Sequence, residues 1–179
     1  MKRPVLVLHL EDNPRDAELV RDQLQRAGCA CELRVASDRA AYEAALARTC
    51  FDLILSDYHL PDYDGMAALA LARATQPDVP FIMISGVLGE EQAVDCVLRG
   101  ATDYVLKHRL ERLGPAVSRA LAEAEERRQR RQAEEALRES ERKFRDLFES
   151  SRDALTVIQP PSWRFTAGNL AAVEMFGAK

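Results

Sequence analysis

The sequence predicts an α/β protein, a doubly wound parallel sheet of five strands followed by a long C-terminal helical extension. Three observations predict it. Over residues 1–121, short apolar runs alternate with amphipathic stretches. The apolar runs end in Glu11-Asp12, Asp57, Ser85-Gly86 and Lys107, so their polar ends share one rim. From Ala116 to Gln159 there is neither glycine nor proline to stop a helix. Strands alternating with helices imply a parallel sheet covered on both faces. Right-handed crossovers restrict its topology.

The elements follow in order. Val5-Leu6-Val7-Leu8-His9-Leu10 is the first strand. Asn13-Pro14 opens a helix whose apolar face reads Ala17, Val20, Leu24 and Ala27, and Gly28 ends it. Glu32 to Ala36 is the second strand, and Ser37 or Asp38 caps the alanine-rich helix after it. Phe51-Asp52-Leu53-Ile54-Leu55-Ser56-Asp57 is the third strand with its polar end. Pro61-Asp62-Tyr63-Asp64-Gly65 makes a loop, and a helix runs on to about Thr75. Pro77 and Pro80 bracket the entry to the fourth strand, Phe81-Ile82-Met83-Ile84. Gly89 and Gly100 bracket a helix carrying Ala93, Val94, Val97 and Leu98. Asp103 to Leu106 is the fifth strand, and Leu110 begins the last helix.

That last helix is expected over 116–150, inside the glycine- and proline-free stretch from Ala116 to Gln159. Between Glu123 and Asp146 it carries eight acids and eight bases, so it is highly charged yet neutral. Val117, Leu121 and Ala124 form one apolar stripe, and Ala136, Leu137, Ser140, Phe144 and Leu147 form a second. The two are out of phase across Arg127 to Gln132, which reads as a stutter. A solvated single helix held by charge pairs is one reading. A dimeric signalling helix is the other, and the one preferred, because so long a helix needs packing. Phe148 to Lys179 changes character, with strand-like Leu155-Thr156-Val157-Ile158, a Pro160-Pro161 turn and a short helix from Asn169 to Phe176. It is too short to bury a core alone, so the chain is expected to end inside a domain.

Composition narrows the class. Hydrophobic residues make up 47% of the chain, enough for a packed core. The net charge of −4 counts against a nucleic-acid-binding surface. No apolar run is long enough to span a bilayer, and the start reads as a strand rather than a signal sequence. Cys29, Cys31, Cys50 and Cys96 show no zinc-type pairing and read as reduced thiols in a cytosolic protein.

The strand ends carry the chemistry. In such a sheet, ligands sit beyond the carboxyl ends of the strands, near the point where strand order reverses. Asp12 and Asp57 would face one another there. Two carboxylates about 4 Å apart repel by roughly 4 kcal/mol at an effective dielectric near 20, and Glu11 adds to that. A divalent cation removes the penalty, and oxygen-only donors select a hard one such as magnesium. A carboxylate can attack a phosphoryl group to give an acyl phosphate, which makes Asp57 the candidate nucleophile. Lys107 is the cation that would neutralise the transferring oxygens, the Ser85 hydroxyl can donate to one of them, and Gly86 leaves a backbone N–H unobstructed.

Leu10-Glu11-Asp12-Asn13, the run from Asp52 to Asp57, Pro61-Asp62-Tyr63-Asp64-Gly65, Ser85-Gly86 and the run from Gly100 to Lys107 resemble the receiver domain of bacterial two-component response regulators. The resemblance covers residues 4 to about 121. It implies a flavodoxin-like sheet of order 2-1-3-4-5. It also implies that Asp57 accepts a phosphoryl group from a phosphohistidine-bearing kinase or phosphotransfer protein. Magnesium would be held by Glu11, Asp12, Asp57 and the backbone carbonyl of His59. Ser85 and Tyr104 match the family's switch pair. Three residues depart from the pattern: His108 where proline is usual after the lysine, Gly86 for alanine, and Tyr63 for methionine. A cis bond before His108 would lack the proline discount and cost several kcal/mol.

The tail resembles the opening of a PAS sensory domain, through Glu141 to Glu149 as lead-in helix and Asn169 to Gly177 as the first strand-to-helix segment. The expected organisation is therefore a receiver over 1–121, a charged signalling helix over 122–147 and the start of a PAS-like domain over 148–179. The resemblance implies a cytoplasmic phosphorelay switch, homodimeric through the 116–150 helix, whose parent is a hybrid sensor histidine kinase or another multidomain signalling protein. Two other classes compete. One is a metal-dependent phosphatase with an aspartyl nucleophile, in which His59 would stand where a general acid usually does. The other is a dimerisation module whose acidic site is vestigial.

Overall fold

A computed structural model describes residues 3–86, 90–161 and 163–177. The chain divides into two compact units, Met1–Glu126 and Arg127–Lys179.

In the first unit five strands form one sheet: β1 (Val5–Leu10), β2 (Cys31–Ala36), β3 (Leu53–Asp57), β4 (Phe81–Ser85) and β5 (Asp103–Leu106). Their order is β2-β1-β3-β4-β5, and every pairing is parallel. The expected doubly wound topology is what the structure has. Helices α1 (Pro14–Arg26), α2 (Arg39–Arg48), α3 (Gly65–Thr75) and α4 (Glu90–Leu98) connect the strands. Gly89, expected to bracket α4, lies outside the described residues.

Every residue of β3 and β4 is buried, which is why both strands read as continuous apolar runs. Alternate side chains feed two core layers. Leu8, Leu10, Ile54, Phe81 and Met83 meet Tyr42 and Leu46 of α2, Leu69 and Ala72 of α3, and Cys96 of α4. Val7, Leu53, Leu55, Ile82 and Ile84 meet Val20 and Leu24 of α1, and Leu113, Val117 and Ala120 beyond β5. Polar side chains fasten the connections. The Gln76 amide donates to the carbonyls of Leu46 and Thr49 and accepts from the Phe51 amide, tying the end of α2 to the entry of β3.

Several boundaries differ from expectation, and β3 starts at Leu53 rather than Phe51. The second strand starts at Cys31. Beyond β5, Lys107–Arg112 is a 3-10 turn, and the last helix, α5 (Leu113–Ser150), starts at Leu113 rather than Leu110. Arg109, at φ −133° and ψ 42°, is not helical and separates the two. At its far end α5 stops at Ser150, in agreement with the expected 116–150 helix and ahead of Pro160, the next helix-breaking residue. The Ser151 hydroxyl accepts from the Asp153 amide and turns the chain. The residues that follow include β-branched Thr156-Val157-Ile158, which suit a strand.

The two stripes of α5 differ in burial. Leu113, Ala116, Val117 and Ala120 are buried, and Leu121 packs against the same cluster. Leu137, Phe144 and Leu147 are 60%, 61% and 72% exposed. The upstream stripe is thus part of the core of the first unit, which accounts for its separate phase.

In the second unit, β6 (Thr156–Gln159) pairs antiparallel with β7 (Arg164–Gly168), and α6 (Leu170–Phe176) follows. Fully buried Asn169 organises it. Its side-chain oxygen accepts from the Leu155 and Ala172 amides, and its nitrogen donates to the Asp153 carbonyl.

Candidate functional site

Strand register places the acids together. Leu10 of β1 is level with Ser56 of β3, so the residues that follow each meet at the rim. One carboxylate oxygen from each of Glu11, Asp12 and Asp57 lies within 4.8 Å of the others. Glu11 and Asp57 are buried and Asp12 is exposed. The donor set is oxygen alone, which suits a hard divalent cation. The loop after β3 turns sharply beneath them. A side chain on Gly65 would come within 2.6 Å of the Asp57 carbonyl oxygen, so only glycine allows α3 to start so close to the site.

Lys107, the residue after β5, reaches back across the sheet. Its Nζ donates to Glu11 Oε2 at 2.8 Å, Asp16 Oδ2 at 2.5 Å and Asp57 Oδ2 at 2.7 Å. Burial by itself favours the neutral amine, but the bonds to Asp16, Asp57 and Glu11 outweigh it and hold the ammonium above its usual pKa. Burial pushes the Glu11 carboxyl up, against the hydrogen bonds from Lys107 and the Asn13 amide. The His59 amide donates to Asp57 Oδ1 at 3.3 Å. The His59 ring is exposed and sits edge-on to Tyr58, with centroids 4.7 Å apart.

Ser85 ends β4 fully buried, and its hydroxyl has no hydrogen-bond partner among the described residues. Gly86 is exposed, and among the described residues nothing stands where a side chain would go. Tyr104 is half-buried on β5, level with Met83, and packs against the α2–α3–α4 core layer. Lys107–His108 is a trans bond, since the cis peptide of the described chain is Pro160–Pro161. The lysine therefore reaches the acids without a cis bond at this position.

Two residues at the site were not singled out from sequence. Asp16 lies in the first turn of α1, whose entry is set by the Asn13 cap and by Pro14. Its signal was an acid one turn beyond Glu11-Asp12, which also fits an ordinary helix start. His9 is fully buried in β1, and neither ring nitrogen has a partner among the described residues. Its pKa is lowered to about 3, chiefly by burial, with Lys107 and Arg21 adding to the effect and Asp16 opposing it. A histidine inside an otherwise apolar strand was the available signal.

Comparison with known proteins agrees with this geometry. The family described as "Response regulator receiver domain" matches residues 7–117. The response regulator protein FleR of Pseudomonas aeruginosa is 32% identical over 101 residues, 56% of this chain and 21% of its own. The two-component response regulator ORR22 of Oryza sativa is 37% identical over 106 residues, 56% of this chain and 14% of its own. Among solved structures, a CheY-like receiver domain protein from Methanospirillum hungatei superposes with a TM-score of 0.63 at 25% identity, covering 70% of this chain and 99% of that one. NtrX from Brucella abortus gives 0.66 at 29% identity, over 73% of this chain and 30% of that one. The fold and the matched residues define a two-component signalling module, and the chain belongs to the response regulator receiver family. It spans about a fifth or less of the two curated relatives described here. Among the described residues, no helix is long and apolar enough to cross a membrane.

Proposed function

We propose that the protein is a phosphorylation-controlled switch in which Asp57 accepts a phosphoryl group from a phosphohistidine donor. The observation that carries this is the Lys107 ammonium, 2.7 Å from Asp57 Oδ2, in a cluster that also holds Glu11 and Asp12. Glu11, Asp12, Asp57 and the His59 backbone carbonyl are the residues that would hold magnesium. When bound, the metal supplies charge neutralisation at the phosphoryl oxygens.

An Asp57 oxygen attacks phosphorus, the P–N bond to the donor imidazole breaks, and the bonding pair leaves with that nitrogen. The product is an acyl phosphate. Lys107 remains an ammonium and gives an N–H to a phosphoryl oxygen. The Ser85 hydroxyl supplies another hydrogen bond, and Gly86 a backbone N–H. Ser85 and Tyr104 form the readout: the hydroxyl moves to the phosphoryl group and the half-buried ring follows into the space released.

The same reading assigns residues 1–121 to the receiver, 122–147 to a signalling helix and 148–179 to the opening of a PAS-like domain. The antiparallel β6–β7 pair followed by a helix capped by Asn169 supports the last assignment. Exposed Leu137, Phe144 and Leu147 support a homodimer formed through the 116–150 helix. The partner is a histidine kinase or phosphotransfer protein in the cytoplasm, with the parent a hybrid kinase or a similar signalling protein, and nucleic acid has no part in it.

Acetyl phosphate with magnesium should add one hydroxylamine-labile phosphate per chain, read by mass spectrometry. Labelling should be lost on chelating the metal and in Asp57→Asn. If Asp57→Asn labels as fast as the parent, Asp57 is not the acceptor.

A further inference from the structure

An ammonium has three N–H donors, and at Lys107 each already has a carboxylate. Glu11 accepts at 2.8 Å, Asp16 at 2.5 Å and Asp57 at 2.7 Å. Two of these acceptors, Glu11 and Asp57, belong to the oxygen cluster suited to a cation, and Asp16 does not. Asp16 comes from a different element, the first turn of α1, whose start is fixed by the Asn13 side chain on the Arg15 amide and by Pro14.

Building on the phosphoacceptor reading above, we propose that Asp16 is a positioning residue for phosphoryl transfer, the lasting anchor that keeps Lys107 over Asp57 while its other two bonds change. The change follows from the chemistry. As an Asp57 oxygen bonds to phosphorus and the donor's bond to phosphorus breaks with its electron pair, the N–H on Asp57 Oδ2 passes to a phosphoryl oxygen. No proton leaves the ammonium. Glu11 is shared with the cation cluster, so its bond to Lys107 competes with that use. The Asp16 bond is free of both demands. Lysine is a long, flexible side chain whose rotamer freedom must be held down for its charge to stay placed. Its side chain here is 22% exposed, so water competes for any donor set loose.

A purely structural role for Asp16, as a favourable charge at the start of α1, would affect stability and leave chemistry at Asp57 alone. The experiment separates the two in the full chain. Labelling by acetyl phosphate is followed at saturating magnesium for the parent, Asp16→Asn, Asp16→Glu, Lys107→Met and the Asp16→Asn/Lys107→Met pair. Asp16→Asn should label roughly tenfold more slowly, the low end of what losing a second-layer partner costs. Asp16→Glu, which keeps the carboxylate, should recover most of the rate. In the Lys107→Met background, Asp16→Asn should change the residual rate less than about twofold, because the residue it acts through has gone. Parent-like labelling by Asp16→Asn, or an equal loss in both backgrounds, overturns the inference and leaves Asp57 as acceptor. A parent that takes no label removes the acceptor assignment, and this inference with it.

Discussion

His9 and Ser85 both bury polar atoms that no described residue satisfies, yet the two differ in kind. Ser85 ends β4 on the rim of the site, where a phosphoryl oxygen would complete it. His9 is inside β1, among the side chains that pack on α1 and α5. Its cost is carried by the fold and shows as pH dependence. In the folded state its pKa is lowered to about 3, chiefly by burial, with Lys107 and Arg21 adding and Asp16 opposing. The unfolded chain, with a histidine pKa near 6.5, binds more protons between those values. Stability is therefore complete above about pH 6.5 and falls as pH drops towards 3, by up to ~1.4 kcal/mol per unit from this residue. Glu11 works the other way, because its carboxyl is pushed up by burial. Comparing parent and His9→Leu at each pH removes the Glu11 contribution to first order. Urea unfolding should show the advantage of His9→Leu growing from pH 6.5 to 4.5. Parallel pH profiles would show that His9 is not buried neutral. Asp57, Glu11, Asp12, Lys107 and Ser85 were legible in the sequence because each directly ends or follows an apolar run. Asp16 was not, since an acid in a helix's first turn is ordinary until Lys107 is seen to reach it.

Among the elements, α5 makes the sharpest test, because one helix carries two kinds of apolar residue. Leu113 is fully buried against Val20, Leu24 and Ile84, whereas Leu137 is 60% exposed. Leu113→Ala should cost about 2–5 kcal/mol by cavity formation. Leu137→Ala in a monomer should stay within about 0.5 kcal/mol. If a second copy covers Leu137, its cost rises with protein concentration, since association stabilises by mass action. Thermal unfolding at two concentrations a hundredfold apart reads both effects. A concentration-independent, negligible cost at Leu137 would exclude it from a dimer interface. Strands β3 and β4 were legible because burial on both faces leaves no polar position to interrupt the run. Edge strand β2 buries only Ala36 fully, so its pattern was weaker and its start at Cys31 was missed. The end of α5 agrees with the 116–150 helix expected from the sequence, although no glycine or proline marks it. The stop depends on one hydroxyl-to-amide bond at Ser151 and on the strand preference of Thr156-Val157-Ile158, and tertiary pairing with β7 decides it.

At the scale of the whole molecule, the question is whether chemistry at Asp57 is coupled to α5 beyond residue 126. Coupling between two sites is a free energy and must be reciprocal for binding equilibria. That gives a test stricter than observing a change. A Leu137→Cys chain, with Cys50 replaced by serine because it is the exposed native thiol, is equilibrated in a glutathione redox buffer. Magnesium and beryllofluoride serve as the phosphoryl mimic. If the mimic shifts the equilibrium constant for the 137–137 disulfide by some factor, the disulfide-linked form must bind beryllofluoride with an affinity altered by the same factor. Typical couplings of 1–3 kcal/mol correspond to about 5- to 150-fold. Titration of the oxidised and reduced forms measures the second factor independently. Equal factors above unity would establish that phosphoryl binding at the rim of the sheet and helix association near residue 137 draw on one conformational equilibrium. Two factors of one would leave the receiver intact as a switch but route its output away from α5, through a surface such as the exposed Val94, Val97 and Leu98 of α4.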